Sequence, residues 1–284
     1  MPVIAIRDDA PPDDAVLAEA LGRLVPGAPV VVMIHGYRYS PTSPSSDPHR
    51  HILALVPDGR HWGAVSWPRR LGLGGGGGLA LAWGWDASGS IWRAHRRALA
   101  SGEVLARLLA RLRAMEPDRP VHLIAHSLGA RVALAALTRL RSGDVRRVIL
   151  LAAALSLREA QAACVAPAGR GAEIINVVGR ENHPFDLLLR LALPHHGERL
   201  RPDRIEASSW LDLPLDDARV LGRLDRMGWP IAQARARICH WSSYLRPGVW
   251  ALYRALLSRP DETPLAALRD GLGRESAARP AVAP

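Results

Sequence analysis

Apolar residues follow two spacings along this chain, and the two alternate. Residues 29–34 (PVVVMI) form an unbroken, largely β-branched run, the pattern of a strand buried on both faces. Comparable runs occupy residues 121–125 (VHLIA), 145–152 (VRRVILLA) and 173–178 (EIINVV), with shorter ones at 3–6, 61–67 (HWGAVSW) and 237–239. Between them the spacing changes to the three-and-four of a helix. Val16, Leu17, Ala20, Leu21 and Leu24 share one face of a helix over residues 13–24. Residues 91–115 carry the longest such pattern, ended by Pro117 and Pro120. Further helices are predicted over 128–140, 156–164 with Ser156 as cap, 184–193, 215–227, and from near Pro247 to Leu257. Strands alternating with helices predict βαβ units, hence an α/β fold with a mostly parallel central sheet flanked by helices. Residues 1–258 are expected to make one domain. Residues 259–284, rich in Ala, Pro and Arg, are expected to form a loose tail with one short helix.

Composition narrows the chemistry. The chain has 284 residues, 48% hydrophobic and 23% charged, enough for one well-buried globular core. The net charge is +10, and every basic residue is Arg, because the sequence contains no Lys. That excludes a Schiff-base lysine, a Ser-Lys dyad and a phosphate-loop lysine. The arginines are scattered over polar helix faces rather than clustered, so no nucleic-acid partner is expected. The first residues, MPVIAIRDDAPPDD, place acids and prolines where a signal peptide needs an apolar run. No segment reaches the roughly 18 apolar residues of a membrane-spanning helix. A cytoplasmic location without an integral membrane segment is therefore expected. Cys164 and Cys239 have no metal spacing, and His195-His196 lack further ligands nearby, so neither a metal nor a cofactor is expected.

The segment from Val121 to Arg131, VHLIAHSLGAR, carries the clearest chemical signal. A buried strand runs into Ala125-His126-Ser127-Leu128-Gly129 and a helix starts at once, the context of a nucleophile elbow. Such a turn strains the serine backbone, so the residues two positions away on either side must be small; Ala125 and Gly129 are. Ser127 then stands at a helix N-terminus, where the Leu128 N–H and the helix dipole favour developing negative charge. The run Gly74 to Gly78 is not followed by Lys-Ser/Thr and is no phosphate loop. It reads either as a surface loop or as a mobile flap over a pocket lined by Trp67, Trp83 and Trp85.

His35-Gly36 at the end of the first long strand run, the Ser127 elbow and the later His240 together resemble the α/β-hydrolase superfamily, across roughly residues 29–258. The family elbow is G-x-S-x-G, and here Ala125 holds the first place. The resemblance implies Tyr37 N–H as a second oxyanion donor beside that of Leu128, with His35, Gly36, His126 and Gly129 supporting the motif. It implies the chain order nucleophile, acid, base. Of the later histidines, His240 precedes the closing helix and fits the base. The acid is expected in or after the turn VVGREN, where Glu181 and Asp186 are the candidates, with a dyad lacking an acid, or an acid from elsewhere, as the remaining alternatives. The activity implied is that of a serine hydrolase on a small acyl substrate, through an acyl-enzyme and without cofactor. Acyl transfer and a catalytically weak binding or scaffold protein on the same fold are the alternatives.

Overall fold

The computed structural model describes residues 3–58, 65–75, 77–198 and 200–273. Among these, seven strands form one sheet: β1 Val3–Arg7, β2 Val30–Ile34, β3 Leu79–Gly84, β4 Val121–His126, β5 Arg147–Leu151, β6 Glu173–Val178 and β7 Trp210–Pro214. All neighbours pair in parallel, in the order β1-β3-β2-β4-β5-β6-β7. The principal helices are α1 Asp14–Gly22, α2 Ile91–Met115, α3 Gly129–Leu137, α4 Leu157–Val165, α5 His183–Ala192, α6 Ala218–Arg226, α7 Val249–Ser258 and α8 Leu265–Gly271.

The continuous apolar runs are explained by two cores, one on each face of the sheet. Val30, Val32 and Ile34 of β2 join Leu17 and Leu21 of α1 and the inner stripe of α2, including Leu105 and Leu109. Val31 and Met33 point the other way, into a second core that also holds Leu224 of α6 and Leu252 and Leu256 of α7. Each such fully buried aliphatic side chain stabilises the fold by about 1.5–3 kcal/mol relative to exposure. Helix starts are fixed locally. Ser90 accepts from Arg93 N ahead of α2, and Ser156 with Glu159 makes a reciprocal capping box ahead of α4.

Strand order places the site. The chain moves from β2 to one side to make β3, then returns past β2 to make β4 and continues to the other side. The connections diverge at the carboxyl ends of β2 and β4, which opens a crevice there. His35-Gly36-Tyr37 leaves β2 at that end, and Ser127 leaves β4 beside it.

Several sequence expectations shift. Residues 61–64 of the strand expected over 61–67 lie outside the described residues. Its described end instead opens a short helix, Trp67–Arg70, capped by Ser66. No strand forms at 237–239, where Ile238 is 61% exposed. The sheet gains β3 and β7 instead. β3 (LALAWG) has no β-branched residue, and it is a strand because it lies between β1 and β2, buried along its whole length. β7 (WLDLP) hides Asp212, which accepts from Asn176 Nδ2 at 2.7 Å, Trp210 Nε1 at 3.0 Å and Asp203 N at 2.8 Å. The flap expectation over Gly74–Gly78 is corrected too. Gly78 packs on the Pro29 carbonyl at the amino end of β2, away from Ser127. Trp67, Trp83 and Trp85 are fully buried core residues rather than a pocket lining. Beyond Arg259, α8 packs Leu265 and Leu268 into the second core. Among the described residues, no helix is long and apolar enough to cross a membrane.

Candidate active site

Ser127 occupies the turn between β4 and α3 with φ 53°, a left-handed conformation that costs a non-glycine residue about 1–3 kcal/mol. Two hydrogen bonds to the next strand and the loop after it hold the turn: Ser127 N donates to Leu151 O at 2.9 Å, and Ala154 N to Ser127 O at 3.1 Å. Close approach explains the glycines at 129 and 36. A Cβ on Gly129 would lie 2.4 Å from His35 O and 2.9 Å from Ile34 O, so α3 can start only because glycine lets it ride on the end of β2. A Cβ on Gly36 would lie 2.9 Å from Ser127 Cβ. The His-Gly segment and the elbow, far apart in sequence, are thus in direct contact.

His35 is a clip for this junction. Its Nε2 accepts from Trp85 N at 3.1 Å, so its Nδ1 carries the proton and donates to Gly36 O at 2.9 Å. Trp85 Nε1 returns a bond to His35 O at 3.1 Å, and the two rings stack. Burial pushes the His35 pKa down to about 3. His126 plays a similar part on the other side. Its Nε2 donates to His240 O at 3.0 Å, and its ring packs on those of His240 and Tyr244. Burial pushes its pKa down to about 4. Both imidazoles are neutral structural groups.

His240 and Ser127 meet: His240 Nε2 lies 2.7 Å from Ser127 Oγ. The expected carboxylate does not meet His240 from either candidate position. The group at its Nδ1 is the side-chain oxygen of Asn182, Oδ1, at 2.6 Å. Glu181 turns away into a buried ion pair with Arg246. Burial raises the Glu181 pKa, but hydrogen bonds from Ser242, the backbone and Arg246, with the Arg246 charge, outweigh it and leave the carboxyl below its ordinary range. Asp186 stands behind Asn182 and accepts from its Nδ2 at 2.9 Å. The arrangement corrects the choice between Glu181 and Asp186: an amide occupies the place beside His240, and Asp186 holds the amide.

That chain of bonds fixes protons. With Nδ2 committed to Asp186, Asn182 presents only an acceptor to His240. His240 Nδ1 must therefore carry the proton, leaving Nε2 to accept from Ser127 Oγ–H. Burial, and secondarily the neighbouring His126, push the His240 pKa well below its ordinary value. Phe185, the sole Phe of the chain, packs on His240 with ring centroids 4.8 Å apart and the planes tilted by 31°.

A cavity of about 560 Å³ opens beside Ser127, His240 and Leu128, and its walls are mostly apolar. Among the described residues, no carbonyl takes the backbone N–H of Tyr37 or of Leu128, and both residues line this cavity. Sequence reading missed Asn182, although the turn VVGREN places it at the expected position of the acid. It also missed Phe185 and Arg38, which no motif marks.

A family model described as "Protein of unknown function (DUF726)" matches residues 84–192. That span includes Ser127 and Asn182 but not His240. No curated protein matches the chain. Among solved structures, the chain is similar to a lipase-esterase related protein from Clostridium acetobutylicum ATCC 824. The identity is 8% and the TM-score 0.35, covering 72% of this chain and 94% of that one.

Proposed function

We propose that this chain is a serine hydrolase of the α/β-hydrolase type that cleaves a carboxylic ester or related acyl bond. The observation that carries the proposal is the 2.7 Å contact between His240 Nε2 and Ser127 Oγ at the strained elbow. His240 takes the Ser127 proton as Oγ attacks the acyl carbonyl, and the N–H groups of Tyr37 and Leu128 receive the oxyanion. The C–O bond to the alcohol breaks, and the alcohol leaves with the proton from His240. Water then attacks the acyl-enzyme, giving its proton to His240, and the free acid leaves as Ser127 is reprotonated. Loss of one oxyanion donor costs about 3–4 kcal/mol of transition-state stabilisation.

Asn182 takes the orienting role. An amide beside the base is costly, about 10⁴-fold in kcat, where it presents its NH₂ and fixes the wrong tautomer. Here Asp186 binds that NH₂, so the productive tautomer is favoured. A second reading, a binding protein that retains the fold with weak catalysis, has one observation behind it: no carboxylate stands on His240 to stabilise its charged form.

Fluorophosphonate labelling with turnover of p-nitrophenyl acetate and butyrate separates the two. Labelling and turnover that both disappear in Ser127→Ala establish the hydrolase. A wild-type protein that neither labels nor turns over leaves the binding role.

A further inference from the structure

Resting on Ser127 as nucleophile, we propose that the substrate is an anionic amphiphile: an acyl ester whose aliphatic chain fills the cavity beside Ser127 and whose alcohol carries a phosphate held by Arg38. The cavity, about 560 Å³, is of the size that takes a small amphiphilic ligand. Ile91, Leu128, Phe185, Leu188 and Leu189 supply an apolar wall with few polar groups to satisfy, which suits an aliphatic chain and not a sugar or peptide.

The apolar surface does not end at the wall. Helix α5 has no buried residue, and Leu187, Leu188 and Leu191 are each more than half exposed. Leu188 lines the cavity and is 62% exposed, so a continuous apolar path runs from the interior to the rim, where Trp241 also stands. A substrate that is apolar at one end can enter along it.

Arg38 gives the other end. It is exposed and lines the same cavity. Its backbone is left-handed, φ 76°, which a side-chain-bearing residue adopts only when its surroundings impose it. Ala87 imposes it, accepting from Arg38 N at 3.0 Å and donating to Tyr39 O at 2.9 Å. The guanidinium lies over the Tyr37 ring, 5.8 Å from its centre. Among the described residues no carboxylate pairs with it, whereas Arg7, Arg23, Arg111 and Arg139 each pair with an acid. The acid in the cavity wall, Asp186, is engaged by Asn182. A guanidinium fork matches phosphate oxygens in bidentate fashion, and a dianion gains about twice the Coulombic attraction of a carboxylate in the same place.

The test compares 1-octanoylglycerol 3-phosphate with 1-octanoylglycerol, both as monomers, on wild type, Arg38→Gln and Arg38→Lys, with fluorophosphonate labelling alongside. The expected result is a kcat/KM about tenfold higher for the phosphate ester in wild type, a ratio near one in Arg38→Gln, and a partial return in Arg38→Lys. Shortening the acyl chain is expected to lower kcat/KM about threefold to fourfold per CH₂ removed. Equal turnover of the two esters by wild type, or a preference that survives Arg38→Gln, overturns the proposal and leaves the hydrolase standing. Labelling of Ser127 without turnover of either ester does the same. No labelling and no turnover removes the hydrolase itself, and this proposal with it.

Discussion

Asn182 lies between two partners, donating from Nδ2 to Asp186 at 2.9 Å and accepting at Oδ1 from His240 Nδ1 at 2.6 Å. In the proposed hydrolase the carboxylate would stand one residue farther out than in a Ser-His-acid triad, with an amide between it and His240. The consequence is electrostatic. A carboxylate against His240 raises its pKa, typically by one to three pH units, and an amide does not. The His240 pKa is held well below its ordinary value by burial. In wild type, turnover below neutral pH therefore follows loss of structure and not protonation of His240. The double exchange Asn182→Asp with Asp186→Asn puts the charge on His240 while keeping a donor behind it. We expect it to remain active and to raise the pKa of His240 itself by about one to two pH units in the folded protein. Asn182→Asp alone sets two carboxylates face to face and is expected to fold less stably than the exchange. NMR titration of the His240 ring beside near-UV circular dichroism checks both; an unmoved His240 pKa in the exchange would count against the relay.

Glu181 and Asp186 are expected to fail in different ways. Glu181 is buried with Arg246, and removing one member of such a pair strands the other charge, at a cost of about 3–5 kcal/mol. Glu181→Gln should lower the denaturant midpoint while the folded enzyme keeps kcat within a few-fold. Asp186→Ala frees Asn182 to rotate and offer its NH₂ to His240, which should lower kcat about 10- to 100-fold with little change in KM or stability. Equilibrium unfolding and steady-state kinetics on the two variants decide this. A stable Glu181→Gln with its kcat abolished would return the acid role to Glu181.

Much of this was legible in the chain because the strongest local signals agree with their tertiary setting. Helix α2 runs over the residues its periodicity predicts, and β6 over the run EIINVV. The elbow is where its small residues place it. The misses share a cause: tertiary contacts overrode local pattern. β3 is built from Leu, Ala, Trp and Gly, and only its place in the sheet makes it a strand. β7 carries an aspartate that reads as loop until its three donors are seen. Asn182 was passed over because its value lies in a neighbour: an asparagine can take this place only where something binds its NH₂, and Asp186 lies four residues on along the first turn of α5.

Gly129 allows the approach of α3 to β2 to be tested directly. A Cβ there would overlap His35 O at 2.4 Å, and α3, buried at every position, has no room to retreat. Gly129→Ala is expected to destabilise by about 1–3 kcal/mol and to lower labelling of Ser127, since the elbow must shift with the helix. Gly22→Ala, at the end of α1 with no atom within 4 Å of the added carbon, should stabilise by about 0.4–1 kcal/mol through the unfolded chain. Thermal or urea unfolding of both variants measures the contrast. Equal effects would mean that the contact with His35 is not a constraint.

Four histidines, three of them buried and His240 part-buried, make stability depend on pH. Burial lowers the pKa of His35 to about 3, of His122 to about 3 and of His126 to about 4, and that of His240 well below its ordinary value. The unfolded chain takes up these protons near pH 6.5 and the folded chain refuses them. Stability is therefore fully present above pH 6.5 and falls as the pH drops towards 4, by about 2 kcal/mol each for His35, His122 and His126 at pH 5. That total rivals the whole stability of an ordinary domain, so cooperative unfolding is expected between about pH 6 and 5. His122 provides the internal check. It sits in β4 with neither ring nitrogen hydrogen-bonded among the described residues, so an apolar replacement leaves no partner stranded. His122→Leu should hold stability at pH 7 and flatten its pH dependence by close to one proton. Urea unfolding at pH 7, 6 and 5, followed by tryptophan fluorescence, measures the proton count. An unchanged slope in His122→Leu would mean that His122 is charged in the folded protein.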